Sequence, residues 1–352
     1  MAHTLKGLLE KVIEKKASDL HINAGLPPQI RIDGRLTPVD GTPLTPEQTK
    51  AICYECLDQG KVMRYEADRA IDLAFGVEGL ARFRANIFWS LDSVAGAFRA
   101  ISYKIPKPDV LGLPGSMLNV INKSRGLVLV TGQTGSGKST TLASLINTIN
   151  QTRSEHIVTL EDPIEYLYTQ EKSLINQREI GTDALSFTQA LKHILRQDPN
   201  IVLVGEMRDL ETIQSTITVA ETGHLVFATL HTNSAVETID RIIDVFPPHQ
   251  QPQVRTQLAF VLEAVFCQQL LPKKGGGRTL ALEIMLPTSG IRNLIREGKT
   301  HQIFAQMQMG QQQTEMTTLD QSLAALVKNG VVEREEAIWK AKNMEDFLAM
   351  IK

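Results

Sequence analysis

Apolar positions change spacing several times along the chain, and each spacing predicts a different element. At the start, Leu5, Leu8, Leu9, Val12 and Ile13 recur on one helical face with lysine and glutamate between them, the signature of an amphipathic helix. "IRIDGRL" then alternates around Asp33-Gly34, a hairpin signal, and "AIDLAF" and "ARFRANIF" alternate across a glycine-containing turn. In "ARFRANIF", Ala81, Phe83, Ala85 and Ile87 share one face, so Arg82, Arg84 and Asn86 share the other. Between these strands, "LTPEQ" starts a helix, with Thr45 as cap, Pro46 in the first turn and Gln48 closing a capping box. Residues 1–102 therefore read as helix, strands, helix, strands.

The proline- and glycine-rich stretch "KIPKPDVLGLPG" favours extended chain and marks a linker over 103–115. Beyond it come short runs apolar on both faces, 127–130, 157–160, 201–204 and 225–230, as expected of parallel strands covered by helices. Leu142, Leu145, Ile146 and Ile149 after the first run, and Leu191, Ile194 and Leu195 before the third, supply those helices. From about 250 the pattern reads as mostly helical; in "GIRNLIREGK", Ile291, Leu294 and Ile295 form one face, which leaves Arg292, Arg296 and Glu297 free to contact something else. "QMQMGQQQ", 306–313, reads as a loop. The expected class is α/β: an α+β domain over 1–102, a linker, and a nucleotide-binding α/β domain over 116–352.

Length supports this division, since 352 residues exceed the roughly 100 to 200 of one domain. Apolar residues make up 42% and charged residues 22%, enough for a sizeable core. The 37 basic residues are balanced by 39 acidic ones with no like-charged block, which argues against a dedicated nucleic-acid binder. No window approaches the roughly 18 apolar residues of a membrane span, and the first helix lacks the apolar core of a signal peptide, so a cytoplasmic chain is expected. Cys53 and Cys56 form a C-x-x-C, but they share a helical face with Leu57 and have no second ligand pair, which points to core rather than zinc.

The firmest chemistry is "GQTGSGKST": Gly132, Gln133, Thr134, Gly135, Ser136, Gly137, Lys138, Ser139 and Thr140 satisfy the phosphate-loop pattern, with a strand before and a helix after. Glycines let backbone N–H groups close around phosphate, Lys138 reaches the β and γ phosphates of ATP, and the Ser139 hydroxyl suits Mg²⁺. "EDPIEY" ends the second strand with Glu161, Asp162 and Glu165, and "NIVLVGEMRD" ends the third with Glu206; Gly205 stands where many nucleotide hydrolases carry a metal-holding Asp. Two carboxylates beside one Mg-nucleotide suit two tasks: Glu165 as base on the attacking water with Glu206 on the metal, or the reverse. In "GHLVFATLHT", His224 and His231 lie roughly 23 Å apart if the strand is extended, so they cannot share a ligand. His231, at the carboxyl end, is placed to sense the γ-phosphate; His224, at the opposite edge, has either a packing or subunit-contact role or a catalytic one. Arg82, Arg84 and Arg99 are a solvated strand face or a positive charge supplied to another subunit's nucleotide.

"SDLHI", the phosphate loop, "LEDPIEY", "RQDPNIVLVGEMRD" and "TGHLVFATLHTNSAVETIDRIIDVFP" resemble, in order and spacing, the conserved boxes of the secretion-type hexameric ATPases. Within them, "GIRNLIRE" at 290–297 resembles the A-I-R-N-L-I-R-E motif of the type IV pilus retraction (twitching motility) family, with Gly290 in place of alanine. Asn200 stands where Asp is usual, and "FWSLDSVAGAFRAI" lacks the arginine-containing turn of the family pattern. The resemblance implies a PAS-like amino-terminal domain, a RecA-like ATPase domain, and a cytoplasmic homohexamer, peripheral at the inner membrane, with sites between neighbours reached by Arg82, Arg84 and Arg99. It further implies ATP-driven removal of pilin subunits through an inner-membrane platform protein. Pilus extension, secretion and accessory retraction ATPases are the near alternatives, opposed by the absent four-cysteine insert; a DNA translocase and a nucleotide-gated scaffold are the distant ones.

Overall fold

In the computed structural model, residues 3–32, 35–101, 104–309 and 315–352 are described. They form two compact units, Met1–Lys104 with Pro163–Leu167, and Ile105–Asp162 with Tyr168–Lys352.

The first unit is one six-stranded antiparallel sheet in the order β3-β2-β1-β6-β5-β4. Its strands are β1 (Asp19–Ile22), β2 (Gln29–Ile32), β3 (Arg35–Pro38), β4 (Ala70–Val77), β5 (Ala81–Ser90) and β6 (Ser93–Ile101). The expected hairpin is β2–β3, paired from Ile32↔Arg35 outward; its turn, Asp33-Gly34, lies outside the described residues. The Leu5–Glu14 helix buries Leu5, Leu8, Leu9 and Val12. Thr45, Pro46 and Gln48 cap the Pro46–Tyr54 helix as expected, with both capping-box bonds made. A second helix, Gln59–Asp68, follows where the pattern suggested one element. Cys53 is fully buried and Cys56 half-buried in this core, and burial pushes both thiols up to about 12.

The second unit carries a seven-stranded sheet in the order β13-β12-β7-β11-β10-β8-β9. The strands are β7 (Gly126–Thr131), β8 (His156–Glu161), β9 (Leu174–Glu179), β10 (Ile201–Val204), β11 (Leu225–Leu230), β12 (Leu262–Pro272) and β13 (Arg278–Met285). All neighbours run parallel except β12 and β13. The four expected apolar runs are β7, β8, β10 and β11, and nearly every residue in them is buried. Because β7 lies beside β11 and not β8, the chain leaves β7 through the Lys138–Thr152 helix and skips two strands. That reversal opens a crevice at the carboxyl ends of the strands, where an open α/β sheet takes its ligand.

Three expectations are corrected. The part from 250 onward is not purely helical: β12 and β13 extend the core sheet before the helices Ser289–Arg296, Ile303–Gln308, Leu319–Lys328, Arg334–Ile338 and Met344–Ile351. The run 261–266, broken only by Glu263, is too short and too evenly apolar for its spacing to separate a buried strand from a buried helix, and pairing to β7 decides between them. Residues 306–308 are helical because Ile303 and Met307 bury together one turn apart, while 310–314 lie outside the described residues. The linker is partly helical: Pro108 occupies the first turn of Pro108–Leu111, where its missing N–H costs nothing.

Candidate nucleotide site

The phosphate loop leaves β7 at Gly132, with φ at 141°. A Cβ there would lie 2.4 Å from the Gln268 carbonyl oxygen and 2.6 Å from Ser136 Oγ, so only glycine lets the loop close against β12. The loop crest, residues 133–135, is exposed, and the chain enters the 15-residue Lys138–Thr152 helix, whose amino-terminal amide groups carry partial positive charge toward the loop. Lys138 Nζ donates to the carbonyls of Gly132 at 2.7 Å and Gln133 at 3.1 Å, which folds the ammonium back over the cradle. Gln268 Nε2 donates to Thr141 Oγ1 at 2.9 Å, fixing the loop's helix to β12.

The carboxyl end of β10 supplies Glu206. Its Oε2 lies 2.8 Å from Arg208 Nη2 and its Oε1 3.2 Å from His231 Nε2. Burial alone would raise the Glu206 pKa, but the Arg208 guanidinium and His231 outweigh it and hold the carboxyl below the ordinary glutamate value. The same pair raises the Arg208 pKa. Glu206 is therefore ionised at neutral pH, with both oxygens engaged.

Gly205 explains the missing aspartate. Its N–H donates to Leu160 O at 2.7 Å, its carbonyl accepts from Thr229 Oγ1, and a Cβ would stand 3.0 Å from Leu160 O and 3.3 Å from Glu161 Cα. Strands β8 and β10 leave little room there, so a side chain would press on the neighbouring backbone, and the acid stands one position on. At the end of β8, Glu161 accepts from Thr159 Oγ1 at 2.7 Å and Gln177 Nε2 at 3.3 Å.

His231 thus stands with Glu206 as expected. His224, at the other end of β11, bonds through Nδ1 to Thr222 Oγ1 and Val219 O, both at 3.1 Å. Glu165 is exposed and lies in the segment that groups with the first unit. In that unit Arg84 and Arg99 face each other across β5–β6, with Arg82 two residues along. Arg99 Nε reaches Asp19 Oδ1 at 2.8 Å and Arg31 Nε lies 3.8 Å from Asp19 Oδ2, so one carboxylate offsets the like charges on this face.

The "GIRNLIREGK" helix requires a correction. Ile291 and Ile295 are buried as expected, but Arg292 is not free. Its Nη1 donates to Ala259 O at 2.7 Å and Phe260 O at 3.1 Å, and its Nη2 lies 3.0 Å from Glu263 Oε1. The guanidinium caps the carbonyl end of the Gln251–Val261 helix, which lies close enough for a long side chain to reach. Among the described residues Arg296 bonds within its own helix, to Asn293 at 3.2 Å, and Glu297 pairs with Lys299 at 2.8 Å. Gly290 fills the alanine position without strain: a Cβ would meet nothing closer than 3.7 Å.

Sequence reasoning passed over Arg208, Thr229 and Gln268. Arg208 had a signal, the basic residue two places after the acid in "GEMRD"; the others act through contacts between distant strands.

Comparison with known proteins agrees with this geometry. Residues 114–275 match the family model described as type II/IV secretion system protein. The chain is 47% identical over 340 residues to the type IV pilus retractation ATPase PilT of Pseudomonas aeruginosa, covering 97% of this chain and 98% of that one. It is 44% identical over 319 residues to the twitching motility protein of Neisseria gonorrhoeae, covering 90% and 85%. A crystal structure of the pilus retraction motor PilT with bound ADP superposes with a TM-score of 0.92 at 46% identity, over 98% of each chain.

Proposed function

The chain belongs to the type IV pilus retraction ATPases of the type II/IV secretion family, and from that premise we propose how its residues divide the work of hydrolysing ATP and withdrawing the pilus. The observation that carries the reading is the pairing of a preformed phosphate cradle with an ionised acid at one sheet edge: Lys138 folded over the loop carbonyls, and Glu206 held between Arg208 and His231.

Catalysis of phosphoryl transfer is largely positioning and charge stabilisation. The loop amides and Lys138 take the phosphates, and bring the terminal phosphoryl group toward β10 and β11. Ser139 and Glu206 would hold Mg²⁺, Glu206 directly or through a water, and the ion would offset phosphate charge when bound. Glu165 is the base on the attacking water. His231 couples the phosphate end of the site to Glu206, and Arg82, Arg84 and Arg99 stabilise charge at a neighbouring subunit's nucleotide in a homohexamer. Arg296 and Glu297, exposed on their helix, form the surface that passes motion to the pilus machinery at an inner-membrane platform protein, on the cytoplasmic side. No helix among the described residues is long and apolar enough to cross a membrane.

Deletion of the gene, followed by counting surface pili, tests the direction of force. Excess pili that fail to retract, restored by the wild-type gene but not by Lys138→Ala, is the expected result. Bald cells would overturn it in favour of extension.

A further inference from the structure

Trp339 is 85% exposed, although tryptophan is the largest apolar side chain. Its exposure is built in. The Arg334–Ile338 helix is anchored by Ala337, fully buried in a cluster with Leu323 and Phe347, and Trp339 lies two residues on, about 200° around the helix axis, on the opposite side. There it lines a cavity of ≈ 240 Å³ together with Gln133, Thr134 and Ser136 of the phosphate loop, Gln269 of β12, and Lys340. The cavity is below the roughly 300 Å³ at which sites for whole small molecules begin. With phosphates seated on the loop, the base of a nucleotide must emerge at the rim, beside the indole.

We propose that Trp339 is the base platform of this site, its indole stacking on the adenine of bound ATP or ADP. A flat, exposed π-surface beside a phosphate cradle is matched by a flat heterocycle tethered to phosphates. Lys340 adds positive charge on the same rim, suited to the anionic end of the ligand. Gln269 supplies an independent sign: its side-chain oxygen is buried without a hydrogen-bond partner among the described residues. An acceptor beside the cavity would be satisfied by a donor such as the exocyclic amino group of adenine.

The proposal rests on the phosphate loop binding nucleotide, and the experiment separates the two. The chain has two tryptophans, so a Trp89→Phe background leaves Trp339 as the only indole, while Phe keeps a ring over Arg69, whose guanidinium lies 4.5 Å from the Trp89 centroid. Titrate the full-length protein with ADP and, separately, with inorganic pyrophosphate, which has no base. Stacking predicts quenching of Trp339 fluorescence by ADP and not by pyrophosphate. It also predicts that Trp339→Ala weakens ADP binding, read calorimetrically, by roughly tenfold while pyrophosphate binding is unchanged, and that Trp339→Phe restores most of the loss. Equal weakening for both ligands would make Trp339 a structural support of the loop, and unchanged ADP affinity would remove it from the site; either result overturns the proposal. Failure of the unsubstituted protein to bind ADP would instead sink the nucleotide site itself.

Discussion

Lys342 Nζ lies 2.7 Å from Glu283 Oε2, and the glutamate is only 1% exposed. The other carboxylate oxygen accepts from the amide of Ala235 at 2.7 Å, the first residue of the Ala235–Asp244 helix that follows the His231 segment. One buried acid on β13 therefore holds both the chain's last helical part and the start of a helix next to the nucleotide site. Removing the lysine strands a buried charge, which costs more than the pair contributes. Lys342→Met should lower unfolding free energy by about 3 kcal/mol, and adding Glu283→Gln should recover part of that loss. Urea denaturation of the three proteins checks it; additive losses would show that the two residues do not interact.

Lys138→Ala should abolish ATPase activity, a drop of at least roughly a hundredfold, with an unchanged circular dichroism spectrum. The ammonium bonds to main-chain carbonyls of the loop, Gly132 and Gln133, and to no residue of the hydrophobic core, so the variant is expected to keep the fold. Wild-type turnover in this variant would remove the phosphate loop from the chemistry.

Gly205→Ala, a single added methyl, should destabilise the second unit by about 1 to 3 kcal/mol because it presses on the Leu160 carbonyl and Glu161 Cα. Gly205→Asp should be worse, despite placing an acid where related hydrolases have one. A thermal melt of both variants gives the answer, and an Asp variant of wild-type stability would refute the steric account.

Such close approaches explain which parts of the molecule were legible in the sequence. The phosphate loop, the four central strands and the Thr45–Gln48 cap declare themselves locally, through glycine spacing, continuous apolar runs and a box of four residues. Strands β12 and β13 do not, because their apolar residues are interrupted by Glu263, Gln268, Gln269 and Glu283 at spacings that fit neither a clean helix nor a clean strand period. Arg292 misled for a related reason. Helical spacing correctly put it off the Ile291–Ile295 face, but a long side chain reaches a neighbouring helix end that spacing within one helix cannot reveal. Glu206 was found and its partner Arg208 was not, although the basic residue two places on in "GEMRD" was a local signal; the fold is what turns the two side chains toward each other.

Glu206 makes stability depend on pH in a definite direction. Its folded-state pKa lies below the ordinary 4.5, so the ionised carboxylate adds stability above about pH 4.5, and that contribution is lost as pH falls through the depressed value. The difference in unfolding midpoint between wild type and Glu206→Gln should thus shrink as pH falls below about 4.5. A difference that persists unchanged well below that pH would mean that the ionised carboxylate does not stabilise the fold. In the same variant, nucleotide binding should lose much of its Mg²⁺ dependence, whereas Glu165→Gln should bind Mg-ATP normally and fail to turn over; a fluorescent-nucleotide titration distinguishes the two, and the reverse pattern would exchange their roles.

Arg292 and Arg296 should now separate. Arg292→Ala removes three charge-assisted bonds to Ala259, Phe260 and Glu263, and should cost about 1 to 2 kcal/mol. Arg296→Ala should change stability by less than about 0.5 kcal/mol. With basal ATPase intact, loss of pilus retraction in cells carrying Arg296→Ala would support a coupling surface, and normal retraction would reduce it to solvated helix.

The contact of Gly132 with the Gln268 carbonyl also has a mechanical meaning. The stroke of a molecular engine is limited by the softest member between the point where chemistry happens and the point where load is applied. Here the phosphate loop abuts β12 with no side chain between them, β12 is laddered to β13 from Val265↔Met285 to Pro272↔Arg278, and Glu283 clamps β13 to Lys342. Backbone, ladder and buried ion pair stand in series, each stiffer than a surface loop. A displacement of the loop would therefore be carried toward the last helices through stiff elements, with little room for elastic give along the way.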